Sequence, residues 1–305
     1  LHTGLCVIKV AAYRRNRHIA ASLRYHLPLL YFTHAVFRVK YNNGGACHIT
    51  EAFQCRFAGV SATGKISPTE PVNFSVPTGN FGDILAGYFA KCMGLPVGKL
   101  LCASNANNVL TEFLTTGCYD RRRPFYKTFS PSMDILVSSN LERLLYLASG
   151  GDAKMVAEKM QELNGQGWYQ ISDTLLKKIQ ETFLCGCCDD AMTTETIKAV
   201  WERDKYLLDP HTAVAWAVAE QHNAGLCRQT VVLSTASPYK FAPVVLGALG
   251  KKVPTDAFAA MDELQAMTGV PVPAPLAELK MLPVLHHDCI EVSEMADYVR
   301  RKMED

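Results

Sequence analysis

The stretch VNFSVPTGNFGDILAG, residues 72–87, decides the fold of this chain. Apolar and polar residues alternate from Val72 to Val76, a pattern that predicts a buried β-strand. Pro77 ends that strand, and residues 78–82 form a glycine-containing turn. Apolar residues then recur at helical spacing, so the turn leads directly into a helix: Ile84, Leu85, Tyr88 and Phe89.

The turn before this helix is suited to holding an anion. The first backbone N–H groups of a helix have no acceptor within it, and the helix dipole places its positive end there. Glycine also lets a phosphate or a carboxylate approach the backbone closely. Because many strand-to-helix turns contain glycine and bind nothing, the residues alone leave an anion site and a plain structural turn both open.

The composition indicates a globular protein. The 305 residues are 49% hydrophobic and 20% charged, enough to bury a large core in one domain or two. No apolar stretch reaches the roughly 20 residues that a bilayer crossing needs, so we expect no membrane association. Eleven cysteines, scattered without paired CxxC spacing, are typical of free thiols in a reducing compartment and predict a cytoplasmic protein.

Positive charge is concentrated at the start of the chain. Residues 1–70 contain nine Lys or Arg and two acidic residues, a net charge of +7, so the remainder carries −5 of the total of +2. We therefore expect an atypical basic segment, residues 1–65, that is poorly ordered or misread. An α/β domain with a C-terminal helical segment, residues 66–305, follows it. Within this segment only residues 13–17 resemble a clustered basic stripe with interleaved aromatic side chains, so we expect no nucleic-acid partner.

Strands and helices alternate after residue 66. Short apolar strands are predicted at residues 100–103 and 230–233, each followed by a turn and a helix. Asp209 and Pro210 have the chemistry of a helix N-cap and a first helical residue. Helical spacing also covers several segments: 109–114, 141–147, 153–163, 174–183, 194–206 and 292–303. This order predicts an open α/β sheet flanked by helices, with ligands at the carboxyl ends of its strands and a final helix that packs back on the body.

Several other groups of residues invite a chemical interpretation. Five histidines at spacings of eight or more residues favour no metal site: His2, His18, His26, His34 and His48. The run CGCC at residues 185–188 has one CxxC pair without a second, so a thiol-bearing loop is favoured. The arginine run at residues 121–123 is typical of a solvated loop more than of a phosphate clamp. His211 is interpreted as a structural histidine more than as a ligand contact.

Five motifs in this order resemble threonine synthase. They begin at Pro71, Leu101, Ser130, Leu208 and Ser234, and read PVNFSVPTGNFGDILAG, LCASNANNVLTEFL, SPSMDILVSSNLERLL, LDPHTAVAWAV and STASPYKFA. The resemblance runs from about Ile66 to the last helix. It implies a fold-type II enzyme that uses pyridoxal 5'-phosphate (PLP) to convert O-phospho-L-homoserine and water into L-threonine and phosphate.

The resemblance also assigns cofactor contacts. In that family the GNFGD loop holds the cofactor phosphate, which corresponds here to Gly79, Asn80, Phe81, Gly82 and Asp83 and agrees with the anion site inferred from the turn. A hydroxyl residue at the end of a late strand faces the pyridine nitrogen. Thr235 occupies that place, with Ser234 and Ser237 as weaker alternatives, and a neutral hydroxyl there keeps the nitrogen unprotonated.

The family's catalytic lysine has no counterpart in the sequence. Family members carry it in a Phe-Lys-Asp context, where it forms the Schiff base with the cofactor, and no such tripeptide occurs here. Several lysines lie in motifs where the family does not place that role: Lys65, Lys91, Lys99, Lys127 and Lys240. We therefore expect no catalytic residue in this chain, an absent N-terminal lysine-bearing domain, and a misread reading frame or gene start upstream of residue 66.

The sequence is compatible with three functions. The first is threonine synthase activity by descent, with O-phospho-L-homoserine as the substrate. The second is a catalytically dead form that binds PLP or a phosphorylated metabolite only. The third is nucleic-acid binding through the basic segment. Loss of a covering domain would expose apolar surface, which predicts poor solubility or self-association through that face.

Overall fold

A computed structural model of the chain describes residues 5–9, 69–226, 229–285 and 287–304. The boundary expected near residue 66, the five N-terminal histidines and the basic stretch at residues 13–17 lie outside these ranges. Within them, no helix has both the length and the apolar character needed to span a membrane.

The described chain is built on a five-stranded parallel sheet, which agrees with the predicted open α/β sheet. Its strands are β1 (Leu5–Lys9), β2 (Val72–Pro77), β3 (Val97–Ser104), β6 (Phe183–Cys187) and β7 (Thr230–Ser234). They lie in the spatial order β1-β7-β2-β3-β6, with every neighbouring pair parallel. Two further strands, β4 (Cys118–Asp120) and β5 (Trp168–Gln170), form a separate antiparallel pair.

Helices cover both faces of this sheet. The first half of the described chain supplies α1 (Gly82–Cys92), α2 (Val109–Thr116), α3 (Leu141–Ala148), α4 (Ala153–Gln166) and α5 (Asp173–Gln180). The second half supplies α6 (Asp190–Asp204), α7 (Pro210–His222), α8 (Ala242–Ala248), α9 (Ala257–Thr268), α10 (Ala274–Ala277) and α11 (Met295–Glu304). Short 3-10 helices include Pro131–Met133 and Pro238–Phe241.

The two faces of β2 pack into two separate cores because successive side chains of a strand point to opposite sides. Phe74 and Val76 belong to the core beneath α1 and α2, together with Leu100 of β3. The other face packs on α7, which is buried over nearly its whole length. Ser75 lies on that face and satisfies its hydroxyl by donating to the Ala215 carbonyl oxygen at 2.6 Å. Strands buried on both sides are the rule in parallel sheets.

The structure corrects the sequence prediction at residues 183–187. A helix through residue 183 and a thiol-bearing loop from residue 185 were expected, but α5 ends at Gln180 and Phe183–Cys187 is strand β6. Its backbone pairs with β3 from Phe183 opposite Leu100 to Cys187 opposite Ser104. A five-residue apolar run has no periodicity that separates helix from strand, so this long-range pairing decides the conformation.

The last helix does not pack back on the body of the described chain. Every residue of α11 has an exposed or partly exposed side chain, and Met303 is 82% exposed. The contacts that hold the helix are polar and local: the Tyr298 hydroxyl donates to Asp288 Oδ2 at 2.6 Å, and Lys302 Nζ lies 3.6 Å from the same atom. The amphipathic pattern correctly predicted a helix but not its position.

Candidate functional site

The candidate site lies where the parallel strands end together. The carboxyl ends of β2, β3, β6 and β7 meet at one edge of the sheet, which is where open α/β sheets bind ligands. The turn after β2 contains Gly79, and Thr235 follows β7 on the adjacent strand. Thr78 fixes the start of the turn, because its N–H donates to the Ala103 carbonyl oxygen of β3 at 2.8 Å.

Phe81 sets the direction in which the turn enters α1. It is the N-cap residue of the helix and adopts the left-handed conformation, with φ at 62°. This conformation costs a non-glycine residue about 1–3 kcal/mol. The Phe81 side chain is 1% exposed and packs against the Phe183 ring at a centroid distance of 5.5 Å. Burial of a phenyl ring contributes about 1.5–3 kcal/mol, enough to offset the strain.

The turn presents a row of backbone donors without acceptors. Among the described residues, nothing accepts a hydrogen bond from the N–H groups of Gly79, Asn80, Phe81 and Gly82. No side chain caps the helix either. Four consecutive unpaired N–H groups at the positive end of a helix dipole fit the oxygens of a phosphate. The residues predicted for phosphate contact are therefore contiguous at the sheet edge.

A loop spanning residues 130–140 closes one side of the turn. The Ser138 hydroxyl donates to the Gly79 carbonyl oxygen at 2.9 Å, and Asn140 Nδ2 donates to the Asn80 carbonyl oxygen at 2.8 Å. A Cβ atom on Gly79 would lie 3.1 Å from both Met133 Cα and the Ser132 carbonyl oxygen. Gly79 is thus needed for close contact with this loop, a reason that the sequence alone did not suggest.

A buried polar network holds this loop against the end of β3. Asp134 accepts hydrogen bonds from Asn105 Nδ2 at 2.8 Å, Asn107 Nδ2 at 3.0 Å and the Thr128 hydroxyl at 2.7 Å. The sequence predicted only a turn for the Asn-rich segment after β3, residues 104–108. Its partners lie 19 to 29 positions away, and the asparagine-rich composition was the one signal available.

His211 supports the same loop from the opposite core. Its Nδ1 lies 3.0 Å from Asp209 Oδ1, and its Nε2 accepts a hydrogen bond from the Ser132 N–H at 3.2 Å. The acceptor role of Nε2 places the ring proton on Nδ1, facing the carboxylate. Asp209 also caps α7 through the N–H groups of His211 and Thr212. The interpretation of His211 as a structural residue agrees with these contacts.

The hydroxyl residues at the end of β7 differ in their surroundings. Thr235 is exposed at the sheet edge, one residue beyond the strand. Ser234 is buried as the last strand residue, and the Ser237 hydroxyl accepts from the Tyr239 N–H at 3.3 Å as the cap of the Pro238–Phe241 helix. At the end of β3, the Ser104 hydroxyl is buried and has no hydrogen-bond partner among the described residues.

Four of the lysines considered for the catalytic role lie in the described part of the chain: Lys91, Lys99, Lys127 and Lys240. Lys91 Nζ donates to the Val97 and Gly98 carbonyl oxygens, and Lys99 Nζ donates to the Glu181 carbonyl oxygen at 2.6 Å. Val97 begins β3, so these lysines lie at the amino edge, roughly 20 Å from the turn at 3.3 Å per residue. Lys127 is exposed in the loop that follows β4, and Lys240 is exposed in the Pro238–Phe241 helix that follows β7.

Two residues of the arginine run form ion pairs within the chain, and the Cys188 thiol is buried. Arg122 Nη2 lies 2.8 Å from Asp120 Oδ2, and Arg123 Nη2 lies 2.5 Å from Glu112 Oε2. Burial raises the pKa of the Cys188 thiol to about 11, so it is neutral near pH 7. No cluster of three or more potential metal ligands occurs in the ranges that the structure describes.

The fold and the candidate site together define an open, parallel α/β protein with a backbone cradle at its carboxyl edge, formed by the unpaired N–H groups of residues 79–82. Comparison with known proteins gives the relationship more closely. Residues 212–282 match the family model described as "Threonine synthase, C-terminal". The chain is related to threonine synthases over this part, and the resemblance carried by the five motifs is confirmed.

Individual relatives extend the match beyond that segment. Threonine synthase-like 1 of Macaca fascicularis is 46% identical over 187 residues, which cover 61% of this chain and 25% of that protein. The PLP-bound threonine synthase from Brucella melitensis superposes with a TM-score of 0.62 at 37% identity, covering 75% of this chain and 52% of that structure. Threonine synthase from yeast gives a TM-score of 0.66 at 36% identity, covering 77% and 47%. The chain thus spans about half the length of the solved relatives, and the predicted fold class is confirmed.

Proposed function

We propose that this chain is a threonine synthase-like protein that binds PLP at the carboxyl edge of its sheet. One observation carries the proposal: four unpaired N–H groups, from Gly79 to Gly82, begin α1 beside the end of β7. A phosphate bound there would accept hydrogen bonds from these N–H groups, which have no acceptor in the described chain. The similarity to a PLP-bound threonine synthase supports PLP as the ligand.

Each site residue has a distinct proposed role. The backbone N–H groups of Gly79, Asn80, Phe81 and Gly82 bind the phosphate. Asp83 contributes through its backbone, because its carboxylate would repel a phosphate. The Thr235 hydroxyl faces the pyridine nitrogen and, being neutral, does not favour its protonation. Bound PLP supplies an electron sink for chemistry at the substrate carbons.

The proposed reaction is conversion of O-phospho-L-homoserine and water into L-threonine and phosphate. Homology to threonine synthases supports it. The alternative is binding of PLP or a phosphorylated metabolite without turnover. Two observations favour that alternative: the sequence lacks a Phe-Lys-Asp lysine, and Lys91 and Lys99 are engaged at the opposite edge of the sheet.

The wider organisation of the protein is part of the proposal. Residues 66–305 form the PLP-binding domain with its C-terminal helical segment, and residues 1–65 are an atypical basic segment, of which Leu5–Lys9 pairs with β7. A reducing, cytoplasmic location is supported by the free thiols of the described cysteines. Self-association is supported by three exposed aromatic side chains at the carboxyl-edge loop: Phe125, Tyr126 and Phe129.

Spectroscopy of the purified 305-residue chain with PLP tests these statements. A visible absorption band that borohydride fixes on one lysine, together with phosphate release from O-phospho-L-homoserine, supports the enzyme. Saturable PLP binding without such a band and without phosphate release supports the binding-only alternative. If equilibrium dialysis shows no saturable binding of PLP, the proposed function is wrong.

A further inference from the structure

We propose that Ser138 and Asn140 are positioning residues that aim the N–H groups of Asn80 and Phe81 at the ligand phosphate. This inference rests on the proposed function. Both side chains donate to carbonyl oxygens of the turn, Ser138 to Gly79 at 2.9 Å and Asn140 to Asn80 at 2.8 Å. Neither needs to touch the ligand, because each acts through a peptide unit of the cradle.

The geometry of the peptide bond carries the argument. In a planar trans peptide, the C=O of one residue and the N–H of the next point in opposite directions. A donor that holds the Gly79 carbonyl therefore turns the Asn80 N–H away from the loop. The same relation links the Asn80 carbonyl to the Phe81 N–H. Both N–H groups are unpaired in the described chain, so two adjacent peptide planes are fixed with their donors free.

Ser138 is itself held rigidly. Its N–H donates to the Tyr119 hydroxyl oxygen at 2.7 Å, and that hydroxyl donates to the Leu136 carbonyl oxygen at 3.1 Å. Tyr119 is 1% exposed and stacks on Tyr169 at a centroid distance of 5.3 Å. These contacts connect the Gly79 carbonyl oxygen, through Ser138, to the antiparallel pair β4–β5 that carries the two rings.

Asn140 donates two hydrogen bonds to the Asn80 carbonyl oxygen. Its backbone N–H also reaches the Asn80 carbonyl oxygen, at 3.3 Å, in addition to the side-chain contact. Asn80 is exposed, so without Asn140 its peptide plane could rotate at little cost to the core. Donors that are already oriented before binding save the ligand the cost of ordering them. Replacing Ser138 or Asn140 by alanine should therefore weaken phosphate binding more than it destabilises the fold.

Paired titrations of the full chain with PLP and with pyridoxal, which lacks the phosphate, test the proposal. Equilibrium dialysis should show that Ser138→Ala and Asn140→Ala each weaken PLP binding about 3- to 10-fold, as expected for one oriented hydrogen bond. The dissociation constant for pyridoxal should not change. Ser138→Thr retains a hydroxyl and should restore most of the PLP affinity.

A matched control removes a similar hydrogen bond elsewhere. The Ser149 hydroxyl donates to the Tyr146 carbonyl oxygen at 2.9 Å on the exposed end of α3, so Ser149→Ala should leave both dissociation constants unchanged. Tyr119→Phe removes the anchor of Ser138 while keeping the ring, and it should reproduce a phosphate-specific loss. This second variant decides the question if Ser138→Ala does not fold.

Hydrogen exchange gives a readout that does not depend on affinity. PLP should slow exchange of the Asn80 and Phe81 amides in the wild-type chain, and pyridoxal should not. Equal losses for PLP and pyridoxal, or unchanged PLP binding in both alanine variants, would overturn the positioning role while leaving the proposed function intact. Absence of saturable PLP binding to the wild-type chain would overturn the proposed function, and the positioning role with it.

Discussion

The amino and carboxyl edges of the parallel sheet differ in whether the described chain provides hydrogen-bond partners for their backbone polar groups. At the amino edge, lysine side chains donate to backbone carbonyl oxygens: Lys91 to those of Val97 and Gly98, and Lys99 to that of Glu181. At the carboxyl edge, the N–H groups of residues 79–82 have no acceptor in the described chain. This difference is the basis of the proposed ligand site at the carboxyl edge.

The largest expected effect comes from a side chain at Gly79. Gly79→Val would push Cβ against Met133 Cα and the Ser132 carbonyl oxygen, both 3.1 Å from the ideal Cβ position, and displace the loop that orients the cradle. We expect the PLP dissociation constant to rise about 10- to 100-fold. Equilibrium dialysis measures this, and an unchanged constant would contradict the proposed site.

A glycine at the amino edge provides the matched comparison for that variant. Gly98→Ala would place Cβ 2.5 Å from Asn73 Oδ1, which accepts a hydrogen bond from the Lys99 N–H. We expect a loss of about 1–3 kcal/mol in the free energy of unfolding, measured with urea, because this is an overpacked interior contact. PLP affinity should be retained, and a loss as large as that of Gly79→Val would remove the contrast between the edges.

A somewhat smaller effect is expected at the support beneath the carboxyl edge. Asp209→Ala removes the cap of α7 and the partner of His211 Nδ1. The free energy of unfolding should fall by about 2 kcal/mol, since a cap and a buried hydrogen bond are lost together. Urea unfolding measures the change. Asp256→Ala removes only the exposed cap of α9 and should cost about 1 kcal/mol, so an equal loss in both variants would argue against the His211 contact.

At the amino edge, Lys91→Met should have a modest effect on stability alone. Its ammonium group contacts two carbonyl oxygens but is only partly buried, so the expected loss is about 1 kcal/mol. PLP affinity should equal that of the wild-type chain. A weaker affinity in dialysis would show that the amino edge contributes to the ligand site.

The smallest effect concerns the arginine run, which is paired internally and so belongs to neither edge. The hydrogen bond from Arg122 lowers the pKa of Asp120 to about 2. A depressed carboxyl pKa contributes stability above the unfolded pKa near 4, and that stability is lost as the pH falls from about 4 to 2. Asp120→Asn should make acid unfolding slightly less steep in this window, followed by circular dichroism. Unchanged steepness would show that the exposed pair contributes nothing.

The parts of the fold that local chemistry dictates were predicted correctly. Strand β2, the glycine turn and α1 follow from alternation, a proline and helical spacing within residues 72–87, and the Asp209–Pro210 pair correctly placed the start of α7. Strand β6 was missed because pairing with β3, far away in sequence, overrides an ambiguous apolar run.

The candidate site was predicted only in part. The residues of the turn were identified from the helix start and the family resemblance, but their supports were not. Ser138 is 59 positions from Gly79, and His211 is 79 positions from Ser132. Hydrogen bonds over such separations leave no periodic signal, so serine, asparagine and histidine in these motifs could not be matched to their acceptors before the fold was known.

The Phe81 ring connects the turn at residues 79–82 to the edge strand β6. It packs on Phe183, the first residue of β6, while its backbone N–H belongs to the cradle. Fraying of β6 would release the ring and with it the left-handed turn. By thermodynamic reciprocity, a ligand that holds the turn must also suppress fraying of β6 by the same free energy. A phosphate at the proposed site would therefore be energetically linked to β6, the outermost strand beside β3, although β6 contributes no donor to the cradle.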